Sequence, residues 1–247
     1  MQETFQSNGI VLDKYESGDY DNTYRVLTES FGMMDLFAKS SRKNSAKLAS
    51  NMEPGSLSRM FFVPRKTDQM MLIGALLIWK PPFIRQTPQK NELMSQALSY
   101  TKKIFYEEQA SVRQWATQEP YENLKKYLLG VNDSGEDEAK AMLYRCAYHL
   151  KLLKIGGFAP LLKHCLVCGK AASILEDMYY SQREGGIICM ICAKKQTRSV
   201  RISADGIKLA NYLMEKPLAQ VRRLNIEAKV AAEAWRLVEN HLQYCLG

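Results

Sequence analysis

Two short-spaced cysteine pairs constrain this 247-residue chain more than any other feature: Cys165-x2-Cys168, a gap of twenty residues, then Cys189-x2-Cys192. Such pairs can present four thiolates to one point if the chain between them doubles back as a hairpin. Met178-Tyr179-Tyr180 and Gly185-Gly186-Ile187-Ile188 read as two strands around Gln182-Arg183-Glu184, which supplies that hairpin. Gly169, directly after Cys168, suits a tight knuckle in which backbone N–H groups turn toward sulfur. Lys170, Lys194 and Lys195 stand near enough in sequence to help keep thiolates ionised. The spacing predicts one structural zinc ion on Cys165, Cys168, Cys189 and Cys192, with no open position for catalysis. A segment of about 40 residues is too small to bury its own core, so the metal would fold it.

Two competing readings are weaker. A disulfide framework needs an oxidising compartment, and Met1-Gln-Glu-Thr-Phe shows neither a basic leader nor an apolar stretch, so the expectation is a cytoplasmic protein. A redox dithiol uses one Cys-x-x-Cys beside a βαβ pattern, not two. His164 reads as a bystander to the cluster, and Cys146 and Cys245 as core residues of amphipathic helices.

Around the cysteines the hydrophobic period divides the chain. Ile10-Val11-Leu12, Tyr24 to Thr28, Met33 to Ala38, Leu57 to Val63 and Met70 to Trp79 read as five short strands, the last of them buried. Tight turns between them suggest a small barrel or sandwich over residues 1–82, ending at Pro81-Pro82. From about residue 88 the period becomes helical, with helices expected after Glu119-Pro120, over Ala139 to Ile155, after Ser203 and over Glu227 to Leu246. The division is thus a barrel (1–82), a helical domain in two parts (83–163 and 201–247) and a zinc-binding subdomain (164–200) between them.

The formal net charge of +8 is unevenly spread. Residues 1–38 sum to −5, residues 39–66 carry seven cations against Glu53 alone, and residues 163–201 carry seven cations against three acids. Two basic blocks point to an anionic partner, although each taken singly is compatible with a solvated loop. There is no Walker loop, G-x-S-x-G elbow or G-x-G-x-x-G, and His149 and His241 lie in amphipathic helices. No nucleophile-plus-base pair stands out, so the reading is a binding protein, not an enzyme. A hydrolytic or RNA-modifying enzyme with a purely structural zinc would need a polar cleft that no residue pattern nominates.

Several stretches resemble the RecO family of bacterial recombination mediators. Gly9-Ile-Val-Leu12 with Gly18-Asp19-Tyr20-Asp21 is similar to the family's opening strand and acidic turn, and Thr28-Glu-Ser-Phe-Gly32 to the lead into its third strand. Leu152 to Gly169, in which Gly157-Phe158-Ala-Pro160 precedes Cys165-Leu-Val-Cys168-Gly169, is the most specific match. Gly185-Gly186 before Cys189-x2-Cys192 and the closing Leu242 to Gly247 extend it. Ser40-Ser41-Arg42-Lys43 keeps the two cations of the family's basic segment but not its glycine.

The resemblance implies an α+β chain with an N-terminal OB-fold barrel, an α-helical domain and an embedded four-cysteine zinc motif. It also implies binding of single- and double-stranded DNA, strand annealing, nucleoid association, and partnership with RecR and the single-strand binding protein SSB to load RecA. An OB barrel holds single strands in a basic groove and by base stacking. Arg42, Lys43, Lys47, Arg59 and Arg65 are the expected phosphate contacts, and Tyr15, Tyr24, Phe61, Phe62 and Trp79 the candidate stacking faces, unless core packing claims them. The alternative is a zinc-containing adaptor that chiefly scaffolds protein partners.

Overall fold

The computed structural model describes residues 3–17, 19–41, 47–65, 69–82, 87–106, 118–134, 137–172, 178–196, 199–221 and 223–246. Alternating apolar residues in the first eighty positions give β1 (Phe5–Ser17), β2 (Asp21–Thr28), β3 (Gly32–Ala38), β4 (Leu57–Pro64) and β5 (Met70–Trp79). They close into a barrel in the order β1-β2-β3-β5-β4, the strand order of an OB fold. Closure depends on β1, whose residues Phe5 to Ile10 pair with β4 and whose residues Gly9 to Ser17 pair with β2. A register shift between Val11 and Asp13 bends the strand from one partner to the other. The parallel contact of β3 with β5, at Leu36↔Met70 and Phe37↔Met71, completes the ring.

Val11, Tyr24, Val26, Leu36, Met60, Phe62 and Leu72 fill the interior. Met52, just beyond the short helix α1 (Lys47–Ser50), is fully buried among them. Each such side chain contributes about 1.5–3 kcal/mol on leaving water.

The run Met70 to Trp79 is a strand, as its pattern predicts, but not a buried one: Ile73, Leu76, Leu77 and Ile78 are all exposed. The reason is pairing. β4 follows β5 from Met70 to Trp79, whereas β3 reaches only Met70 and Met71, so the second half of β5 is a sheet edge.

Two helices share the first compact unit, Met1–Asn132, with the barrel: α2 (Pro88–Tyr106) and α3 (Gln118–Asp133). The side chain of Lys102 on α2 bonds Asp13 on β1. Gly55 holds φ +82°, and a Cβ there would overlap the Met94 sulfur of α2, so a glycine permits this close approach. Tyr127 of α3 donates its hydroxyl to the Leu93 carbonyl at 3.2 Å.

The second compact unit, Asp133–Gly247, holds α4 (Glu138–Ile155), β6 (Met178–Ser181), β7 (Gly186–Cys189), α5 (Met190–Ala193), β8 (Ser199–Ile202), α6 (Ala204–Glu215), α7 (Leu218–Val221) and α8 (Ala228–Leu246). α4 packs against α6, α7 and α8, and the three strands form a sheet in the order β7-β6-β8. The Asp137 side chain caps α4 by accepting from Lys140 N at 3.0 Å. The helix stops where Gly157 takes φ +81°, with Phe158 N bonded to Leu153 O and Gly157 N to Lys154 O, the paired bonds of a Schellman motif. Ser203 caps α6 through Gly206 N at 3.1 Å. Among the described residues no helix is long and apolar enough to cross a membrane.

Candidate metal centre and nucleic-acid surfaces

Backbone bonds and a small buried cluster of Cys165, Ile188, Cys189, Cys192 and Ala193 bring the two cysteine pairs together. Leu161 forms a parallel bridge to Gly186, and Ile187 N donates to Leu161 O at 3.0 Å. Leu166 N, inside the first pair, donates to Ile187 O at 3.0 Å. The first arm is thereby stitched to β7, whose last residue, Cys189, begins the second pair. A Cβ on Gly186 would overlap the Leu161 carbonyl and lie 2.7 Å from Leu166 Cδ1, so no larger residue fits the crossing. Gly169 turns the first knuckle at φ +76°, its N–H bonded to Cys165 O at 2.8 Å. The second knuckle is the start of α5, with Cys189 at its N-cap.

The sulfurs of Cys165, Cys168, Cys189 and Cys192 all lie within 4.8 Å of one another. Cys168 and Cys189 are 3.8 Å apart, and all four thiols are free. Cys165, Cys189 and Cys192 are buried, and Cys168 is exposed. Burial opposes ionisation of Cys165, yet backbone N–H groups of Cys168, Cys189 and Val167 outweigh it and bring its thiol down to about 6. The Cys189 N–H lies 3.3 Å from that sulfur. Cys192 moves the other way, to about 12, because it holds its proton on Cys189 and is buried beside the other sulfurs. Four thiolates this close repel one another, and a central dication removes the repulsion. The donor set therefore fits one metal ion, and His164, exposed, stands outside the cluster.

One residue that the helical pattern leaves undistinguished ties this sheet to the helices. His241 on α8 has Nδ1 2.7 Å from the Tyr180 hydroxyl on β6 and Nε2 2.6 Å from Phe158 O. A carbonyl can only accept, so Nε2 carries the proton and Nδ1 accepts from Tyr180. The partners lie 61 and 83 residues away in sequence, which is why no local signal marks them. Burial lowers the His241 pKa, and the bond to Phe158 opposes that shift.

The expected phosphate contacts are scattered. Arg42 and Lys43 lie outside the described residues, and of Lys47 only the backbone, opening α1, is within them. Arg59, exposed on β4, sends Nε to Asn8 Oδ1 at 3.4 Å, and Asn8 in turn donates to Glu29 at 2.8 Å. Arg65 follows β4, with its guanidinium 4.4 Å from the centre of the Phe37 ring and bonded to Gln69 Oε1 at 3.2 Å. Six strand positions, about 20 Å, separate the two arginines, so they stand at opposite ends of β4. Of the candidate stacking faces, Tyr24 and Phe62 are fully buried, because their positions alternate into the barrel, and they cannot meet a base. Tyr15 is exposed with the Arg25 guanidinium 5.5 Å from its ring centre, and Arg25 makes two 2.8 Å bonds to Asp35. Arg25 and Asp35 face each other across β2 and β3, a pairing that the strand pattern does not announce.

Comparison with known proteins covers both compact units. The family model described as "Recombination protein O N terminal" matches residues 1–78, and "Recombination protein O C terminal" matches residues 113–247. Among curated relatives, the DNA repair protein RecO of Thermodesulfovibrio yellowstonii is 27% identical, over 98% of this chain and 94% of its own length. That of Alkaliphilus metalliredigens is 26% identical over 90% of this chain and 85% of its own. That of Dehalococcoides mccartyi strain 195 is 24% identical over 98% and 90%. The OB strand order, the four-cysteine cluster and matches spanning both units lead to one conclusion: this chain belongs to the RecO family of DNA repair proteins.

Proposed function

We propose that the chain is a DNA-binding recombination mediator that anneals complementary strands and acts with RecR and SSB to help load RecA on single-stranded DNA at the nucleoid. The observation that carries this reading is the closed barrel in OB order, joined in one RecO-family chain to a four-cysteine cluster. In this reading the barrel (residues 1–82) binds single- and double-stranded DNA. The helical parts (83–163 and 201–247) form the body, and residues 164–200 are an insert folded by one zinc ion on Cys165, Cys168, Cys189 and Cys192. Four thiolates close the tetrahedron, so the metal's part is structural, and the role is binding rather than catalysis. Arg42, Lys43, Lys47, Arg59 and Arg65 are the proposed phosphate contacts, each worth about 0.7–0.9 in the slope of log K against log salt.

The test is a salt titration of binding to single-stranded oligonucleotides with no other protein present. Binding whose slope falls when all five cations are reversed in charge supports the reading, and an unchanged slope sinks the assignment of those residues. A second reading, an adaptor for protein partners, draws on the exposed apolar edge Ile73, Leu76, Leu77 and Ile78. Absence of DNA binding in the same titration would favour it.

A further inference from the structure

The two cysteine knuckles carry more surface chemistry than a structural metal requires. Lys163, Lys170 and Lys194 each stand two residues from a cysteine of the cluster, and Lys195 stands three away. Those cysteines converge to within 4.8 Å at sulfur. Two or three residues span at most about 7–11 Å of chain, so the four lysine backbones all lie within that reach of the cysteine cluster. All four lysines are exposed, and none of them forms an ion pair among the described residues.

Residues 160–172 and 185–196 contain no aspartate or glutamate. Glu215 is the acid that feels Lys163, and it is already bonded to Lys154 at 2.7 Å. Four thiolates around a dication leave two negative charges, which four lysines outnumber. Stabilising the thiolates therefore does not use up the positive charge.

The knuckle tips are apolar and uncovered. Val167, in the first pair, is 53% exposed, and Ile191, in the second, is 62% exposed. Met190 beside Ile191 is exposed as well. Exposed aliphatic side chains in the same short segments as exposed cations, with no acid in either segment, match a ligand that offers phosphates alongside apolar base and sugar faces. A protein partner of ordinary composition would bring acids of its own but no reason for the tips to share these segments with the cations.

We infer that the paired zinc knuckles are a second DNA contact, separate in sequence from the barrel, in which Lys163, Lys170, Lys194 and Lys195 neutralise phosphates while Val167 and Ile191 pack against unpaired bases. This inference rests on the proposal that the chain binds DNA. It adds to that proposal a site in the other compact unit, built from residues that the five expected phosphate contacts do not include.

The experiment uses the full chain and an oligothymidylate of about 30 nucleotides, longer than one OB fold covers. Wild type is compared with K163Q/K170Q/K194Q/K195Q and with V167S/I191S, with bound zinc measured in each. The fourfold variant is expected to keep its zinc and to lose about 2–3 from the salt slope. The double variant is expected to bind more weakly at unchanged slope. An unaltered slope in the fourfold variant, with wild type binding normally, overturns the inference and leaves the barrel reading standing. A wild type that does not bind overturns the DNA reading itself.

Photocrosslinking wild type to the same oligonucleotide carrying iodouridine covers the case in which a variant loses its metal. Adducts within residues 161–172 or 187–196 support the contact, and adducts confined to the barrel refute it.

Discussion

The Tyr180 hydroxyl donates to His241 Nδ1 across 2.7 Å, fastening the middle strand of the sheet beside the four cysteines to α8. The same imidazole donates from Nε2 to Phe158 O, in the segment that enters the first knuckle. Only a neutral ring can accept at one nitrogen while donating at the other.

Acid should therefore weaken the second compact unit before its carboxylates titrate. Burial lowers the pKa of His241, and burial lowers that of His149 to about 4. Both folded values lie below the unfolded value near 6.5. The stabilisation is thus complete above pH 6.5 and is lost as pH falls toward 4, where the unfolded chain binds the extra protons. His149 alone accounts for roughly 2 kcal/mol between pH 7 and pH 5, at about 1.4 kcal/mol per unit. Urea midpoints at the two pH values should show the loss, and H149Q and H241Q should each reduce it. A midpoint that does not move between pH 7 and pH 5 contradicts the assignment.

Gly186 admits nothing larger, because a Cβ would overlap the Leu161 carbonyl. G186A should lower stability by about 1–3 kcal/mol, the range for overpacking against unyielding atoms. It should also weaken metal retention, since the displaced backbone carries Ile187, whose N–H and carbonyl hold Leu161 and Leu166. G157A is the contrasting case. Nothing lies within 4 Å of its added carbon, and only the φ of +81° is strained, so its metal retention should match wild type. Equal zinc loss in both variants would refute the distinction.

Removing a ligand should unfold the insert rather than leave a vacancy in a preformed site. C189S is expected to reduce bound zinc from one per chain to none and to unfold residues 164–200 while the surrounding helices persist, because metal binding supplies the folding energy of such a small segment. Chelation at neutral pH should do the same to wild type. A C189S chain that melts like wild type and still carries stoichiometric zinc would contradict the four-cysteine assignment.

At the barrel, Arg65 is held over Phe37 and by Gln69 without an acid among these partners, whereas Arg59 leans on Asn8, which is bonded to Glu29. R65A should flatten the salt slope for DNA by about 0.7, and R65K should restore it, since charge rather than fork geometry sets that slope. R59A should change it less. A larger effect at Arg59 than at Arg65 reverses the ranking.

Local chemistry was legible where it is written in a short window. Cys165-x2-Cys168-Gly169 fixed a knuckle because the turn needs a positive φ at Gly169 and two sulfurs on one side of it, both decided within five residues. The end of α4 at Gly156-Gly157 and the cap at Ser203 were readable for the same reason. Tyr24 and Phe62 could not be separated from Tyr15 as stacking faces by type alone. Which side of a strand meets the interior is set by register against β1, β3 and β4.

The sequence by itself determined the five barrel strands, the hairpin between the cysteine pairs, the main helices and a four-thiolate donor set, because alternation, helical period and Cys-x2-Cys spacing are properties of neighbouring residues. Tertiary structure alone decided that β3 leaves β5 after Met71, with Ile73, Leu76, Leu77 and Ile78 exposed in a run that reads as buried. It alone joined Tyr180 to His241 and set Arg25 against Asp35 across β2 and β3. Those outcomes depend on which distant segments pair, and pairing is chosen by the packing of the whole unit rather than by any window of the chain.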